Sequence, residues 1–438
     1  MPPLVGATSD GIVPGASPLL NDCVHLLAAL AVAALPTVLT IDDAVRIFRE
    51  RGFDLLIADA QIAAAEGDAT VAAAIANPQL GATVGRSFDY DARACPGCSA
   101  TAWSVALTDP SALSDLITGK RGLRTDVARS AVTAARRSRD DALRTLSLQV
   151  RQAFLDAVLQ QAQLGLAREL AESTERTRAL DQRRLESGAV SEAELARAEV
   201  AALQAQQGVD LGEQALIAAR LQLAFLLGVR EAAPDFAVDS TLFERALPET
   251  DLSVEALSAE ALEERPDLLA DSAQEARAEA ALALARRQRI PDVALSAQYA
   301  QEGSGQNALQ PPTLTFGVQL PLPIFYRQRG EIARAEADLR AQRVAREKLR
   351  AQVLSDVRQA TAAVDANRRL VQRLRTRMLG RARRVRDLVQ VQYEKGAASL
   401  LELLDAQRTW ALTYAEYLKD VHDFWLSLFR LDAVVGRR

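Results

Sequence analysis

The residues best suited to chemistry are two closely spaced thiols. Cys95 and Cys98 stand in the sequence Cys-Pro-Gly-Cys, within a polar stretch predicted to be a surface loop. Thiols at this spacing can form a redox pair, a local disulfide or two ligands of a metal ion. Two thiols supply only half of a tetrahedral zinc site. In an exported protein, where conditions are oxidising, we expect Cys95 and Cys98 to form a local loop disulfide.

The remaining composition offers little to an enzyme. Two His and two Met occur among 438 residues, and no Ser-His-Asp set, phosphate-binding glycine loop or pair of catalytic carboxylates has credible spacing. His25 and His422 stand alone, which favours structural roles. The formal net charge of −5 argues against nucleic acid as a partner. The sequence therefore predicts no enzymatic activity, no cofactor and no metal site.

A very long helix is predicted in the second half of the chain. Residues 331–395 contain no Pro and a single Gly, Gly380. One helix is expected over 330–395, on the order of 100 Å long at ~1.5 Å per residue. Its apolar residues recur every seven positions, at Val357, Val364, Val371, Met378 and Val385. This narrow seam indicates coiled-coil packing against neighbouring helices, although an ordinary coiled-coil rod would have the same seam.

A twin of this helix is predicted over residues 122–187. Both helices end at Gly followed by a Ser-x-x-Glu capping box, as Gly188-Ala189-Val190-Ser191 with Glu194 and as Gly396-Ala397-Ala398-Ser399 with Glu402. The offset between the two boxes is 399 − 191 = 208 residues. Because Gly readily adopts the left-handed conformation that ends a helix, the chain should reverse at both places. Return helices are predicted over 191–228 and 399–435.

The chain contains an internal duplication. A pattern that begins at Leu39 returns at Leu252, and Pro78 matches Pro291 at the same offset of 252 − 39 = 213 residues. Self-similarity at a fixed offset indicates repeated structural units. We assign a first repeat to residues 37–228, a linker to 229–251 and a second repeat to 252–438. Each repeat should begin with a leading helix, over about 41–76 and 254–289.

Apolar and polar residues alternate between each leading helix and each long helix. Leu80 and Val84 belong to one such pattern, and Phe316 and Val318 to another. A period of two predicts four strands of about 8 to 12 residues, grouped as hairpins at 79–109 and 292–321. A soluble sheet and a membrane barrel both show this alternation. Four strands cannot close a barrel, so strands that enter lipid would require several chains to share one.

An apolar run near the N-terminus, Val24 to Ala34, is too short for a transmembrane helix, which needs ~20 residues. Its length suits the core of a signal peptide, although no Lys or Arg precedes it. We expect residues 1–36 to be a signal or targeting segment. No later run reaches the length of a spanning helix, which argues against a helical membrane protein.

The duplicated layout resembles the TolC-type outer-membrane efflux factors over about residues 39–436. More narrowly, Arg265-Pro266-Asp267-Leu268, Pro291-Asp292 and the segment from Pro321 to Ile332 resemble the branch that serves cobalt-zinc-cadmium-type cation pumps. The resemblance implies a mainly α fold with a small β part. Long antiparallel coiled-coil hairpins would form a trimeric α-barrel, and four strands per chain would contribute to a 12-stranded transmembrane β-barrel.

The resemblance also implies partners. A homotrimer held in outer-membrane lipid, with its α-helical part in the periplasm, would be a passive conduit. Its tip would bind a periplasmic adaptor, a membrane fusion protein, that couples it to an inner-membrane pump of the RND type exporting metal cations or drugs. The two turns would form that tip. Adaptor contact is thus expected at Gly188, Ala189, Val190, Ser191, Gly396, Ala397, Ala398 and Ser399.

A periplasmic gate is implied by the same resemblance. Aligned on Gly396, Glu402 and Asp405 fall where the family places acidic residues that line a closed constriction, and position 405 − 208 = 197 is Arg197. Glu402 also belongs to a capping box, so Asp405 is the better candidate. Alternating Asp405 and Arg197 around a threefold axis would close the entrance through ion pairs. Alternatively, both are ordinary surface charges, whose pairs are worth only ~0.2 to 1 kcal/mol.

Two other functions fit the sequence. An outer-membrane channel of a type I protein-secretion system would differ only in its partners. A soluble coiled-coil scaffold would have the long helices without fractionating with a membrane. The transported substrate is not encoded in these patterns, since the resemblance assigns substrate selection to the pump.

Overall fold

The computed structural model describes residues 35–88, 91, 93, 100–230, 236–302 and 312–437. Within these ranges the protein is mainly helical, with one four-stranded sheet and one pair of two-residue strands. Most of the expected targeting segment, residues 1–34, lies outside the described residues, as do Cys95 and Cys98. None of the helices in the described ranges has the length and apolar character needed to cross a membrane.

The two halves of the chain run through a similar order of elements. The first contains β1 Val38–Leu39, α1 Ile41–Arg51, α2 Phe53–Ala73, β2 Gln79–Arg86, β3 Thr101–Asp109, α3 Ala112–Thr118, α4 Lys120–Glu186 and α5 Glu192–Leu226. The second contains β4 Ala237–Val238, α6 Thr241–Glu244, α7 Val254–Glu264, α8 Pro266–Arg287, β5 Ala294–Glu302, β6 Thr313–Gln319, α9 Arg329–Arg373, a π-helical turn Leu374–Met378, α10 Leu379–Glu394 and α11 Leu400–Val435.

Helix α4, which has 67 residues, forms the spine of the helical bundle. It packs against α2, α8, α5 and α11. Arg136 and Arg139 in its first half pair with Glu66 and Asp59 of α2. In its second half Arg168 pairs with Glu213 of the return helix α5. The leading helices therefore cover one half of α4 and the return helix covers the other.

Neither leading helix is continuous, which corrects the prediction of single helices over 41–76 and 254–289. The first is broken at Gly52, whose backbone is extended (φ −59°, ψ 127°) and so close to Phe48 that a Cβ would lie 2.5 Å from its ring. The second is broken at Arg265 (φ −61°, ψ 124°), which precedes Pro266. A residue before Pro is driven out of the helical conformation. Each break lets a short helix turn onto the central core.

The central core lies where α1, α4, α7 and α11 meet the linker between the repeats. Its largest fully buried side chains include Phe48, Phe154, Phe236 and Phe424. The parallel pair β1–β4 attaches the start of the first repeat to that linker. This part of the molecule is a conventional packed core, unlike the narrow helix contacts on either side of it.

Arg265, which lies between α7 and α8, anchors these two helices to the end of α11. Its side chain is 5 % exposed and donates to Asp267 at 2.5 and 3.0 Å, to Asp356 at 3.3 Å and to the carbonyl of Val434 at 3.4 Å. Burial opposes its charge, but the two carboxylates outweigh burial and raise the pKa of Arg265. The buried cation is therefore fully paired.

The four longer strands form one antiparallel sheet in the order β2-β3-β5-β6. The two β-hairpins, β2–β3 and β5–β6, are thus joined through β3 and β5, with Val105 opposite Tyr299. One face carries large apolar side chains exposed to solvent, and its most exposed members are Leu80, Val84, Leu314, Phe316 and Val318. The other face carries Ser, Thr, Gln, Gly and Ala, with Glu302 at the end of β5. Strands β2 and β6 are the open edges of the sheet.

The heptad seam of the second long helix shifts by one residue at the π-helical turn. Val357, Val364 and Val371 are at most 1 % exposed, as the heptad pattern predicts, whereas Met378 and Val385 are 45 % and 51 % exposed. A π turn inserts one residue into a helix. Within the chain the seam therefore continues at Leu379, Arg386 and Tyr393, and the prediction that Met378 and Val385 belong to it is corrected for contacts inside one chain.

Candidate functional site at the helix tips

The two turns lie side by side at one end of the helical bundle. Gly188 (φ +74°) and Gly396 (φ +75°) adopt the left-handed conformation that the sequence predicts for a helix end. The following amides, of Ala189 and Ala397, each donate at 2.8 Å to a carbonyl five residues back. Behind the turns, a small apolar cluster joins the helical hairpin α4–α5 to the helical hairpin α10–α11. Its buried members are Ala198, Tyr393, Leu400 and Leu403.

The expected docking residues differ in exposure. Gly188, Ala189, Ser191, Gly396, Ala397 and Ser399 are exposed, whereas Val190 and Ala398 are half-buried. Ala398 packs against the apolar cluster. The outer surface of the tip is therefore made largely of small side chains, which leave the backbone open to close approach.

Both capping boxes are formed. Ser191 and Ser399 accept hydrogen bonds from the amides of Glu194 and Glu402 at 3.2 and 3.3 Å. The Ser399 amide donates back to the Glu402 carboxylate at 2.7 Å. This bond, and next the one that the Ser399 hydroxyl donates to the same carboxylate at 2.9 Å, hold the pKa of Glu402 below its usual value. Glu402 is therefore engaged as a helix cap, which leaves Asp405 as the free acidic candidate.

Asp405 and Arg197 are both exposed, on α11 and α5 respectively. Neither forms an ion pair or a hydrogen bond within the described part of the single chain. The Asp405–Arg197 pair expected from the sequence is thus not formed inside one chain.

A buried polar clasp, which the sequence reasoning missed, ties the two long helices together just above the turns. Tyr393 of α10 is 4 % exposed, and its hydroxyl donates to the carboxylate of Asp181 of α4, which is 0 % exposed. Burial, and next the hydrogen bond to Asp181, raise the pKa of Tyr393, so its hydroxyl stays protonated and donates. We call Tyr393, Asp181 and Arg184 the tip clasp.

Arg184 completes the tip clasp. Its guanidinium donates to the carbonyls of Tyr393 and Glu394 at 2.8 and 3.1 Å, and lies 4.8 Å from the centre of the Tyr393 ring. It also stands 3.7 Å from the Asp181 carboxylate. The sequence carried one signal of this cluster: at the 208-residue offset, Tyr393 and Asp181 correspond to apolar Leu185 and Val389.

Further polar contacts continue above the clasp. Arg386 of α10 pairs with Glu169 of α4 at 2.7 Å and lies over the Trp410 ring at 4.8 Å. Gln407, only 2 % exposed, donates to Ser173 at 3.1 Å. These residues border a cavity of about 290 Å³ between the hairpins. The two helical hairpins are thus joined near the tip mainly by directional polar contacts, and little apolar surface is buried between them there.

The described residues contain no group of His, Cys, Asp and Glu side chains arranged to hold a metal ion. His422 is buried between Asp156 and Asp423, and its ring nitrogens lie 2.9 Å from a carboxylate oxygen of each. Burial alone would lower the pKa of His422, but the hydrogen bonds to both carboxylates outweigh it and raise that pKa. The ring therefore joins α11 to α4 as a structural residue.

The sequence matches the model of the family described as outer membrane efflux protein over residues 45–229 and 257–437. It is 26% identical over 411 residues to the cobalt-zinc-cadmium resistance protein CzcC of Cupriavidus metallidurans, covering 91% of this chain and 90% of that protein. It is 29% identical over 401 residues to the pyoverdine export outer membrane protein OpmQ of Pseudomonas aeruginosa, covering 87% and 81%.

Solved structures share the fold. The CusC structure superimposes with a TM-score of 0.73 at 20% identity, covering 93% of this chain and 96% of CusC. The outer membrane channel CmeC of Campylobacter jejuni gives a TM-score of 0.74 at 15% identity, covering 99% and 94%.

Proposed function

Because the chain belongs to the outer membrane efflux protein family, we propose that it is the outer-membrane channel of a tripartite efflux system. It would form a passive conduit, with no enzymatic activity of its own, through which an inner-membrane pump expels its substrate. Family membership excludes the alternative of a soluble scaffold. The observation that best supports a channel is the sheet, with its exposed apolar face and two open edges.

The sheet has the properties of one sector of a membrane barrel. Its strands have 8, 9, 9 and 7 residues, close to the ~9 to 11 that cross a bilayer when tilted. Apolar residues on one face and polar or small ones on the other suit lipid outside and water inside. Open edges are not tolerated in lipid. Pairing β6 of one copy with β2 of the next, three times, gives a 12-stranded barrel.

The helices support the same threefold assembly. Helix α5 exposes an apolar stripe that includes Val200, Leu203, Leu211 and Ile217. Between the π-helical turn and the tip, the second long helix exposes Met378, Val385, Leu388 and Val391. The charged residues of the two helices are mainly of opposite sign: mostly acidic on α5 (Glu192, Glu194, Glu199, Asp210 and Glu213, with Arg197 and Arg220) and mostly basic over residues 375–391 (Arg375, Arg377, Arg381, Arg383, Arg384 and Arg386, with Asp387). Each stripe would cover the other in the neighbouring copy.

The tip is the proposed adaptor site. Small exposed residues at both turns allow the backbone of a partner helix to approach closely, and the side-by-side turns of three copies would give six such sites. The tip clasp would hold the two hairpins of each chain together when the entrance is closed. Adaptor docking at the turns is well placed to release it.

The substrate class is proposed from the relatives. CzcC is named for cobalt-zinc-cadmium resistance and OpmQ for pyoverdine export. We infer export of metal cations, because the CzcC match covers most of both chains and the sequence shares the features of that branch. The pump would select the ion, since the described residues of this chain contain no metal-binding cluster.

Complementation of a strain that lacks the native gene tests this function. Restoring the gene should restore resistance to cobalt, zinc or cadmium. Ala189→Glu and Ala397→Glu should each abolish resistance while the assembly persists, because a bulky charge blocks the adaptor. Ala333→Glu, at an exposed site near the sheet, is the matched control and should export normally. Resistance that survives both tip substitutions would reduce the turns to a capping role.

The proposed gate has its own test in planar bilayers. Asp405→Ala and Arg197→Ala should each raise the open probability, because an alternating ring loses one sign of charge. Block by divalent cations should weaken in the Asp405 variant alone. Conductance equal to that of the parent in both variants would remove Asp405 and Arg197 from the gate.

A further inference from the structure

A short loop after the last strand exposes large apolar side chains. Leu322 and Ile324 are 68 % and 67 % exposed and Phe325 is 100 % exposed. The loop is nevertheless fixed. Two Pro residues flank Leu322, and Tyr326 accepts a hydrogen bond from the Gly330 amide at 2.9 Å and donates one to Glu331 at 2.6 Å. A Cβ on Gly330 would lie 2.5 Å from that hydroxyl, so the brace depends on Gly.

An apolar hollow lies at the same end of the sheet. It has a volume of about 250 Å³ and is lined by Ile75, Ala112, Leu113, Asp115, Leu116 and Arg121. Its two charged residues are engaged elsewhere: Asp115 pairs with Arg124 at 2.6 Å and Arg121 donates to the carbonyl of Ala73 at 2.7 Å. Ile75 and Leu116 remain 58 % and 70 % exposed. The hollow therefore offers mainly apolar surface.

The sheet places the loop and the hollow at opposite edges. The loop follows β6, and Ile75 precedes β2. With strands ~4.8 Å apart, β2 and β6 of one chain are separated by about 14 Å, or three spacings. Where β6 of one copy pairs with β2 of the next, the separation is one spacing, about 5 Å. Because the strands are antiparallel, the end of β6 then meets the start of the neighbour's β2.

We propose that Phe325 and its loop dock into the hollow around Ile75 of the adjacent copy of this chain. The contact locks each copy to the next at the junction between sheet and helices. The contact rests on the proposed threefold assembly and adds one further surface to the strand pairing and helix stripes proposed for it. Phe325 supplies the apolar anchor, and the Pro residues and the Tyr326 brace fix the loop beforehand, which lowers the entropic cost of docking.

A disulfide cross-link tests the contact. In a background with Cys23, Cys95 and Cys98 replaced by Ser, the pair Ile75→Cys and Phe325→Cys should yield covalent dimers and trimers in detergent extracts. The control pair joins Phe325→Cys to Phe88→Cys. Phe88 is equally exposed at 102 % but lies beyond the far end of β2, about 30 Å from its start at ~3.3 Å per residue. This pair should not cross-link.

Phe325→Ser supplies an independent measurement. It should lower the association constant roughly tenfold per contact, the effect of exposing one large apolar side chain. Phe88→Ser should leave assembly unchanged. Parent trimers that form without the Ile75–Phe325 cross-link, and that survive Phe325→Ser unaltered, would overturn this contact and leave the proposed function standing. A parent chain that forms no trimers would overturn both.

Discussion

Loss of one hydroxyl at the tip clasp should open the periplasmic end of the channel. Tyr393→Phe removes the donor to Asp181 while keeping the ring that Arg184 covers. Asp181 is fully buried, and its second carboxylate oxygen has no hydrogen-bond partner in the described part of the chain. Without Tyr393, only Arg184, 3.7 Å away, would remain to compensate the carboxylate.

The cost follows from the kind of hydrogen bond lost. A hydrogen bond to a charged group contributes about 1.5 to 3 kcal/mol, and a buried unpaired charge costs more. A free-energy change of ~1.4 kcal/mol alters an equilibrium constant tenfold. The equilibrium constant that favours the closed state over the open state should therefore fall roughly 10- to 150-fold in each chain.

Single-channel recording in planar bilayers measures this shift directly. Tyr393→Phe should raise the open probability and lengthen openings. Tyr417→Phe is the matched control, because Tyr417 makes ring contacts but its hydroxyl forms no hydrogen bond with the described residues. A Tyr393→Phe channel that stays closed as often as the Tyr417→Phe channel would refute the clasp as part of the gate.

Three further substitutions test the elements that hold the helices. The protonated form of His422 stabilises the folded chain fully below the ordinary His pKa of ~6.5. This stabilisation is lost as the pH rises through the raised pKa of the folded state. His422→Gln should therefore remove this part of the pH dependence of the Tm. Arg265→Met should cost about 1.5 to 3 kcal/mol of unfolding free energy, because the half-buried carboxylates of Asp267 and Asp356 lose their hydrogen bonds to the guanidinium, whereas the exposed Arg334→Met should be neutral in the same denaturant titration. Ser399→Ala should cost about 1 kcal/mol through its lost cap, with amide exchange faster in the first turn of α11.

The sequence predicted the elements that a local pattern determines. A period of two gave the strands, and Gly followed by a capping box gave both turns, because each depends on neighbouring residues. For contacts within the chain, the heptad row held at Val357, Val364 and Val371 but not at Met378, since a π turn shifts the register without changing the apolar spacing. The break at Arg265 was readable from Pro266, whereas the break at Gly52 depends on its contact with Phe48.

Contacts between distant parts of the chain were beyond the sequence patterns. The partnership of Tyr393 with Asp181 joins residues 212 positions apart, and neither residue belongs to a recognisable motif. The pairing of β3 with β5, which leaves β2 and β6 as the edges, also depends on how the two repeats fold together. These long-range contacts form the tip clasp and leave free the strand edges on which the proposed assembly depends.

Native mass spectrometry of the protein extracted from the outer membrane tests the central claim most directly. The open edges β2 and β6, the apolar sheet face and the complementary helix stripes predict a complex of three chains and no stable smaller species. A stable single chain in that extract, with its sheet edges unpaired, would contradict the proposed channel.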